Sequence, residues 1–378
     1  MTWKFWQKST TANSKEKPKK GPFREWLDAI VWAGSAAIII RSFFLELYMI
    51  PTSSMESSLL VGDFLVVSKF HYGTRLPMVP LSVPFVHNKL PLVNVKSYLD
   101  WIVLPYLRLP GITEVKRNDV VVFNYPADDI EPNNPDLGPV AETSIKENYI
   151  KRCVAISGDT LQVINHQVYI NGKVGFNPPE MQYSYDVRTS QEGFNPKALG
   201  ELGFRDPEDS NRNWGEIGPG QYRFDMTAKT AATIKSWSNV TKVEPVILDT
   251  SIYLDNIYPK SPLFKWNYDQ FGPIIIPKKG MTISLTDSNI ATYKRVIVAY
   301  EGHTLEGSAG KTLIDGKPAT TYTFEMNYYF MMGDNRNNSL DGRFWGFVPE
   351  SHIVGKPLIV LFSKENGIRW GRFFRLID

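Results

Sequence analysis

Hydrophobic positions fall into three regimes along the chain. From Trp26 to Leu45 they run almost unbroken, as WLDAIVWAGSAAIIIRSFFL. A helix of that length rises about 30 Å, enough to cross a bilayer core. Its charged members, Asp28 and Arg41, lie near the two ends, where side chains reach the interface. From Leu76 to Thr113 the apolar residues are instead interleaved with prolines. Repeated proline prevents a long helix, so no second span is expected there. The stretch reads as a core-packing loop, a sheet edge, or an apolar rim dipping into the outer leaflet beside the first span. After Val115 come short β-branched or aromatic runs, VVVFNY, QVYING, PVILD, YKRVIVAY, TYTFEMNYYFMM and PLIVLF, broken by Gly, Asn, Asp and Pro. They predict a mainly β fold, an antiparallel barrel-like or coiled sheet, with no long helical periodicity beyond the first span.

Charge adds an orientation. Lys4, Lys8, Lys15, Lys17, Lys19 and Lys20 precede the span, which predicts a cytoplasmic basic tail over residues 1–22, a single-pass anchor over 23–47, and everything after Tyr48 outside the cytoplasm. A cleaved secretory signal shares the basic start, but this span is long for one and lacks a clear small-x-small cleavage site. Elsewhere the charge is nearly balanced, +3 overall, which argues against a nucleic-acid partner. Cys153, the single cysteine, reads as a small buried apolar residue and says nothing about the redox compartment. His71, His87, His166, His303 and His352 show no metal-ligand spacing, and no Gly-rich phosphate loop appears, so neither a metal nor another cofactor is expected.

Candidate chemistry starts where the span ends. PTSSMESSLLVGD, Pro51 to Asp63, places Ser54 on a tight exposed segment next to the bilayer. A serine needs a base, and no histidine here has a recognisable triad context. A lysine serves if apolar burial lowers its pKa. Lys151 alternates with apolar residues in NYIKRCVAISGD, although a strand lysine taken alone is more often an edge or surface residue. GDNRNNSLDGRFWGFVP, Gly333 to Pro349, is dense in turn formers, carboxylates and arginines. It reads as either an exposed loop or a buried hydrogen-bonded network.

The ordered set PTSSMESSLLVGDFLVVSKFHYG, KRNDVVVF, YIKRCVAISGD with YINGK, and GDNRNNSLDGRFWGFVP resembles the boxes of bacterial type I signal peptidases. The resemblance implies Ser54 as nucleophile and Lys151 as general base. It implies Thr52 and the Ser54 backbone N–H as the oxyanion donors. By the same resemblance Ser339 orients the lysine, Asp341 and Arg343 form a supporting charged pair, and Gly333, Asp334, Asn335 and Arg336 make its turn. Tyr48, Ile50, Met55, Leu59, Leu65, Tyr149 and Ile150 fall where the family lines two shallow pockets for small residues. Ser53 and Ser57 stand where Gly and Pro are usual, Asn118 replaces a Gly, and Gly342 replaces a Ser.

The implied activity is removal of signal peptides from exported preproteins, with the bilayer and a secretion translocon as further partners. Rival readings are an inactive member of the fold that presents exported segments, and a Ser/Lys protease dedicated to itself or one partner. In this reading residues 48–173 form the first part of the catalytic core, 174–288 an inserted β-rich lobe, and 289–378 the second part. YKRVIVAYEGHTLE with IDGK, Tyr293 to Lys317, also resembles YIKRCVAISGDTLQ with YINGK, Tyr149 to Lys173. This points to a duplicated strand pair or to shared hairpin chemistry, with duplication preferred and Lys294 as the copy of Lys151.

Overall fold

The computed structural model describes residues 21–79, 101–102, 104–126, 143, 146–190, 193–205, 212–308, 310–365 and 367–377. The basic tail through residue 20 and residues 80–100 of the proline-rich stretch lie outside the described residues. Helix α1, Pro22–Phe43, opens with proline in its first turn, where a missing N–H costs nothing, and carries Glu25 and Arg41 at the ends that suit the helix dipole. None of its residues is buried, and among the described residues it is the one helix long and apolar enough to cross a membrane. It runs directly into strand β1, Leu45–Met49. A polar knot fixes the junction: Glu46 takes Arg41 and Lys69, each at 2.8 Å, and the Tyr48 hydroxyl at 2.7 Å.

The body is mainly β. Strands β2 (Asp63–Ser68), β3 (Val120–Asn124) and β4 (Asn148–Ala155) join β1 in a nine-stranded sheet. Its order is β1, β2, the long strand Ile353–Glu365, β3, β4, Tyr328–Met332 and Val348–Pro349, and the short strands Gly367–Ile368 and Arg375–Leu376 pair with the long strand off this path, every pairing being antiparallel. All five residues of β3 are buried, as its unbroken apolar run requires of a central strand. The Ser157-Gly158-Asp159 turn, with Gly158 at φ +89°, passes the chain into β5 (Thr160–Ile164). Strands β6 (Gln167–Ile170) and β7 (Lys173–Val174) follow, completing a second sheet.

The segment expected to be one inserted lobe divides in two. Strands β8 (Gln182–Thr189), β9 (Trp214–Gly218), β10 (Gln221–Thr227) and β11 (Val240–Pro245) form a separate sheet. Helices α2 (Pro196–Glu201) and α3 (Ala228–Lys235) pack on it around a core that includes Val187, Leu199, Phe224 and Ile234. The chain then returns to the body: β12 (Phe271–Ile275) pairs with β5, and Ile257, Tyr258, Phe271 and Leu285 pack with Phe330 and Phe347. Only 182–245 therefore stands apart, because only that stretch closes a hydrophobic core of its own.

Two expected strands are not strands. β11 ends at Pro245, so PVILD contributes only its first residue. YKRVIVAY is helical, in α4 (Asp287–Arg295) and the wider turn Val296–Tyr300 that continues it. Thr286 caps α4 by accepting from the Asn289 N–H, and Ile290, Tyr293, Val296, Ile297 and Tyr300 pack on the core at helical spacing. Lys294 points to solvent. The apparent repeat therefore reduces to its hairpins: Ile170 pairs with Lys173, and Ile314 with Lys317. The turns between them, Asn171-Gly172 and Asp315-Gly316, have positive φ throughout. That is the turn chemistry of tight hairpins and carries no sign of a duplicated active-site strand. Lys294→Ala should change unfolding free energy by less than about 0.5 kcal/mol, whereas Phe330→Ala, which empties a fully buried position, should cost about 3–5 kcal/mol in urea denaturation.

Candidate active site

Pro51 follows β1 and ends its ladder, and the chain then makes a single 3₁₀ turn, Ser53–Met55. Met55 is wholly buried and anchors this turn, while Ser54 remains partly exposed. Lys151 lies on β4, and its amine donates to Ser54 Oγ at 2.7 Å and to the Ile150 carbonyl at 3.0 Å. The residue is only 3% exposed. Burial pulls its pKa from 10.5 to about 8, against the negative charges of Asp341 and Asp334, which pull the other way. An amine of that kind is unprotonated in about a tenth of molecules at pH 7 and in about half near pH 8, far more than an ordinary lysine, and it touches the one hydroxyl it would need to activate. Thr52 Oγ1 stands 3.5 Å from Ser54 Oγ, on the same exposed side.

The loop after Tyr328–Met332 is the buried network, not the exposed loop. Asp341 caps the short helix α5 (Gly342–Trp345) and accepts from Gly333 N at 3.1 Å and from Arg343 Nε and Nη2 at 2.9 and 2.8 Å. Burial raises its pKa, but Arg343 and these donors outweigh that and hold it below the usual carboxylate range. Asp334 accepts from Arg152 Nε and Nη2 at 2.9 and 2.8 Å and from Ser58 Oγ at 2.6 Å. Asn335 donates its N–H to the Ser54 carbonyl at 3.1 Å and its amide to the Ser53 carbonyl at 3.2 Å.

One residue does not stand as the resemblance implied. Ser339 is buried beside Gly333, yet its hydroxyl has no hydrogen-bond partner among the described residues; the Ile150 carbonyl, not Ser339, is the lysine's second contact. Arg336 stands in the turn as the resemblance implied, its N–H donating to the Gln182 carbonyl at 2.9 Å, and the arginine that pairs with Asp334 is Arg152. Sequence reasoning quoted Arg152 without giving it a task. Its position was the available signal, since successive strand residues point to opposite faces and a buried arginine requires an acceptor.

Of the expected pocket residues, Ile50, Met55, Leu59 and Leu65 are buried in one cluster, with Tyr48 and Ile150 packed against it. Tyr149 belongs to a different cluster, stacked on Tyr125 at 4.6 Å, with its ring 5.4 Å from the Lys151 amine. The departures have local reasons. Asn118 has φ +74°, a conformation asparagine tolerates, and its carbonyl accepts from Arg152 Nη1 at 2.7 Å. Ser53 Oγ takes a bond from the Asn338 amide at 3.2 Å. A side chain at Gly342 would meet the Met331 carbonyl at 2.8 Å and the Phe330 ring at 2.9 Å, so this chain has no room for the usual serine.

Comparison with known proteins agrees with this architecture. A family model described as signal peptidase, peptidase S26, matches residues 23–223 and 317–362, a span that holds every site residue named above. That places the chain among the serine-type peptidases. A signal peptidase I of Buchnera aphidicola is 26% identical over 328 residues, 87% of this chain and 71% of its own length. That of Haemophilus influenzae is 24% identical over 378 residues, 97% and 80% respectively. One from Pseudomonas aeruginosa is 24% identical over 337 residues, covering 86% and 68%. The chain belongs to the signal peptidase family, peptidase S26, in its bacterial type I branch.

A lysine whose folded pKa lies below its unfolded value binds fewer protons when folded, so stability rises with pH between about 8 and 10.5 and is lowest below that window. At pH 7 the burial costs about 3 kcal/mol. Lys151→Met, which keeps the stem and removes the amine, should therefore raise Tm at pH 7, and the gain should shrink by pH 10. Thermal unfolding at the two pH values measures it.

Proposed function

We propose that this chain cleaves signal peptides from exported preproteins, with Ser54 as nucleophile and Lys151 as general base. The carrying observation is the 2.7 Å contact between a buried amine and the Ser54 hydroxyl. Neutral Lys151 takes the hydroxyl proton as Ser54 Oγ attacks the carbonyl carbon at the scissile bond. The Ser54 N–H and the Thr52 hydroxyl receive the developing oxyanion. Collapse passes the lysine's proton to the leaving amine, and water, deprotonated by the same lysine, then releases the acyl group.

The substrate strand has a place to add. Asn148, Tyr149 and Ile150 pair with β3 on one side, while Tyr328–Met332 joins β4 only from Arg152 onward. Among the described residues an open strand edge thus leads to Lys151, and the reading carries with it selection of small residues one and three positions before the cut. The purified chain in detergent should cleave a preprotein after a small residue. Ser54→Ala and Lys151→Ala should fall to background without loss of folding, and the wild-type rate should rise with pH through about 8. Persistent cleavage by Ser54→Ala, or efficient cutting after Arg or Phe, would overturn the reading.

The catalytic body is proposed to face away from the cytoplasm, resting on the membrane beside α1. Trp101, Ile102, Leu104, Leu107, Leu109 and Ile112 all expose apolar surface, and backbone bonds such as Leu76 N–H to the Leu107 carbonyl hold this segment against the body. A version beginning at Phe44 should float with liposomes, and Trp101→Ser with Leu104→Ser should reduce flotation. Equal flotation of the two would assign this surface to packing alone.

A further inference from the structure

Lys151 is held by a sheet, but Ser54 sits on a single turn that no sheet contains. Buried Met55 and Asn335 hold it from the body, and the separate small lobe braces both Asn335 and the residues that follow Met55. Gln182, the first residue of β8 and 5% exposed, donates its N–H to the Asp334 carbonyl and accepts from the Arg336 N–H, both at 2.9 Å. It thereby brackets Asn335, with which it forms a parallel bridge. Asn335 is the residue that donates to the Ser54 and Ser53 carbonyls. The side-chain amide of Gln182 reaches past it and donates to Ser57 Oγ at 2.7 Å. Ser57 has φ +68°, a conformation unfavourable for a residue with a side chain, so it is held there by its surroundings. The lobe adds Arg205 on Glu56, at 3.0 and 3.2 Å, and the Ser184 N–H on the Asn337 side chain at 3.0 Å.

We propose that Gln182 is a positioning residue for the reaction, and that the small lobe at 182–245 serves to hold the nucleophile's turn against Lys151 through it. This rests on the assignment of Ser54 and Lys151 made above. Gln182 touches neither of those side chains and is not one of the expected pocket residues. Its loss should therefore weaken the alignment of Ser54 and leave substrate affinity alone. Small errors in such alignment are costly, on the order of tenfold or more in rate for a fraction of an ångström.

The test uses the full chain in detergent and a preprotein substrate, with wild type and Ser54→Ala as references. Gln182→Met keeps the length and the backbone bonds while removing the amide, and Ser57→Ala removes the same bond from its other end. Each should lower kcat about tenfold with KM changed less than twofold, and the double variant should be no slower than either single one. Arg223→Ala breaks an exposed pair with Asp186 on the same lobe and should leave both constants unchanged. Wild-type kcat in Gln182→Met, or multiplicative losses in the double variant, would overturn the inference while Ser54→Ala still reports the reaction. If Gln182→Met fails to fold, Ser57→Ala alone decides, since normal kcat there excludes the contact. If the wild-type chain does not cleave, the assignment of the site falls first and this inference with it.

Discussion

One amine has to be kept out of water beside two carboxylates without being captured by them. Asp334 and Asp341 both lie near enough to raise the Lys151 pKa, and a free carboxylate there would hold the lysine as an ammonium ion, useless as a base. Each is already engaged. Asp341 is saturated by Arg343 and the Gly333 N–H, and Asp334 by Arg152 and Ser58. The two buried ion pairs leave desolvation as the dominant influence on the lysine. Buried pairs contribute little net stability, so their value here lies in the state of the amine they surround.

This arrangement explains the order of strands. Ser54, Lys151 and the 333–343 loop are far apart in sequence and meet because β4 lies between β3 and Tyr328–Met332 in the main sheet. Successive residues of β4 face opposite ways, so Lys151 and Arg152 reach different partners and do not compete. The pairing of β4 with Tyr328–Met332 begins only at Arg152. Among the described residues, no strand pairs with the preceding stretch of β4 on that side, beside the lysine.

Much of this was legible in the sequence, and the failures are local. The N-terminal apolar helix, β3 and the long C-terminal strand follow from apolar runs whose length and composition allow one reading. Ser54 and Lys151 came from ordered boxes, since a serine or a strand lysine alone carries little information. YKRVIVAY was misread because its β-branched residues favour a strand, while Thr286 and Asp287 just upstream form a helix start and the apolar positions fit a 3.6 period. The lobe boundary at Pro245 was invisible because the residues that return to the body, Ile257 to Leu285, differ little in composition from those before them. The unpartnered hydroxyl of Ser339 and the arginine that pairs with Asp334 depend on side-chain geometry, which no linear pattern carries.

Ser57 links that geometry to the chain's own departures from the family. The type I pattern usually has a proline there, and proline locks φ near −65°. At φ +68° this position cannot accept one. In the turn after Ser54, the stiffness that a ring would supply covalently has to come from contacts. Those contacts are the Gln182 amide on Ser57 and Arg205 on Glu56, both from the lobe. The lobe therefore meets the body at the turn that follows Ser54, where a left-handed serine takes the place of a ring.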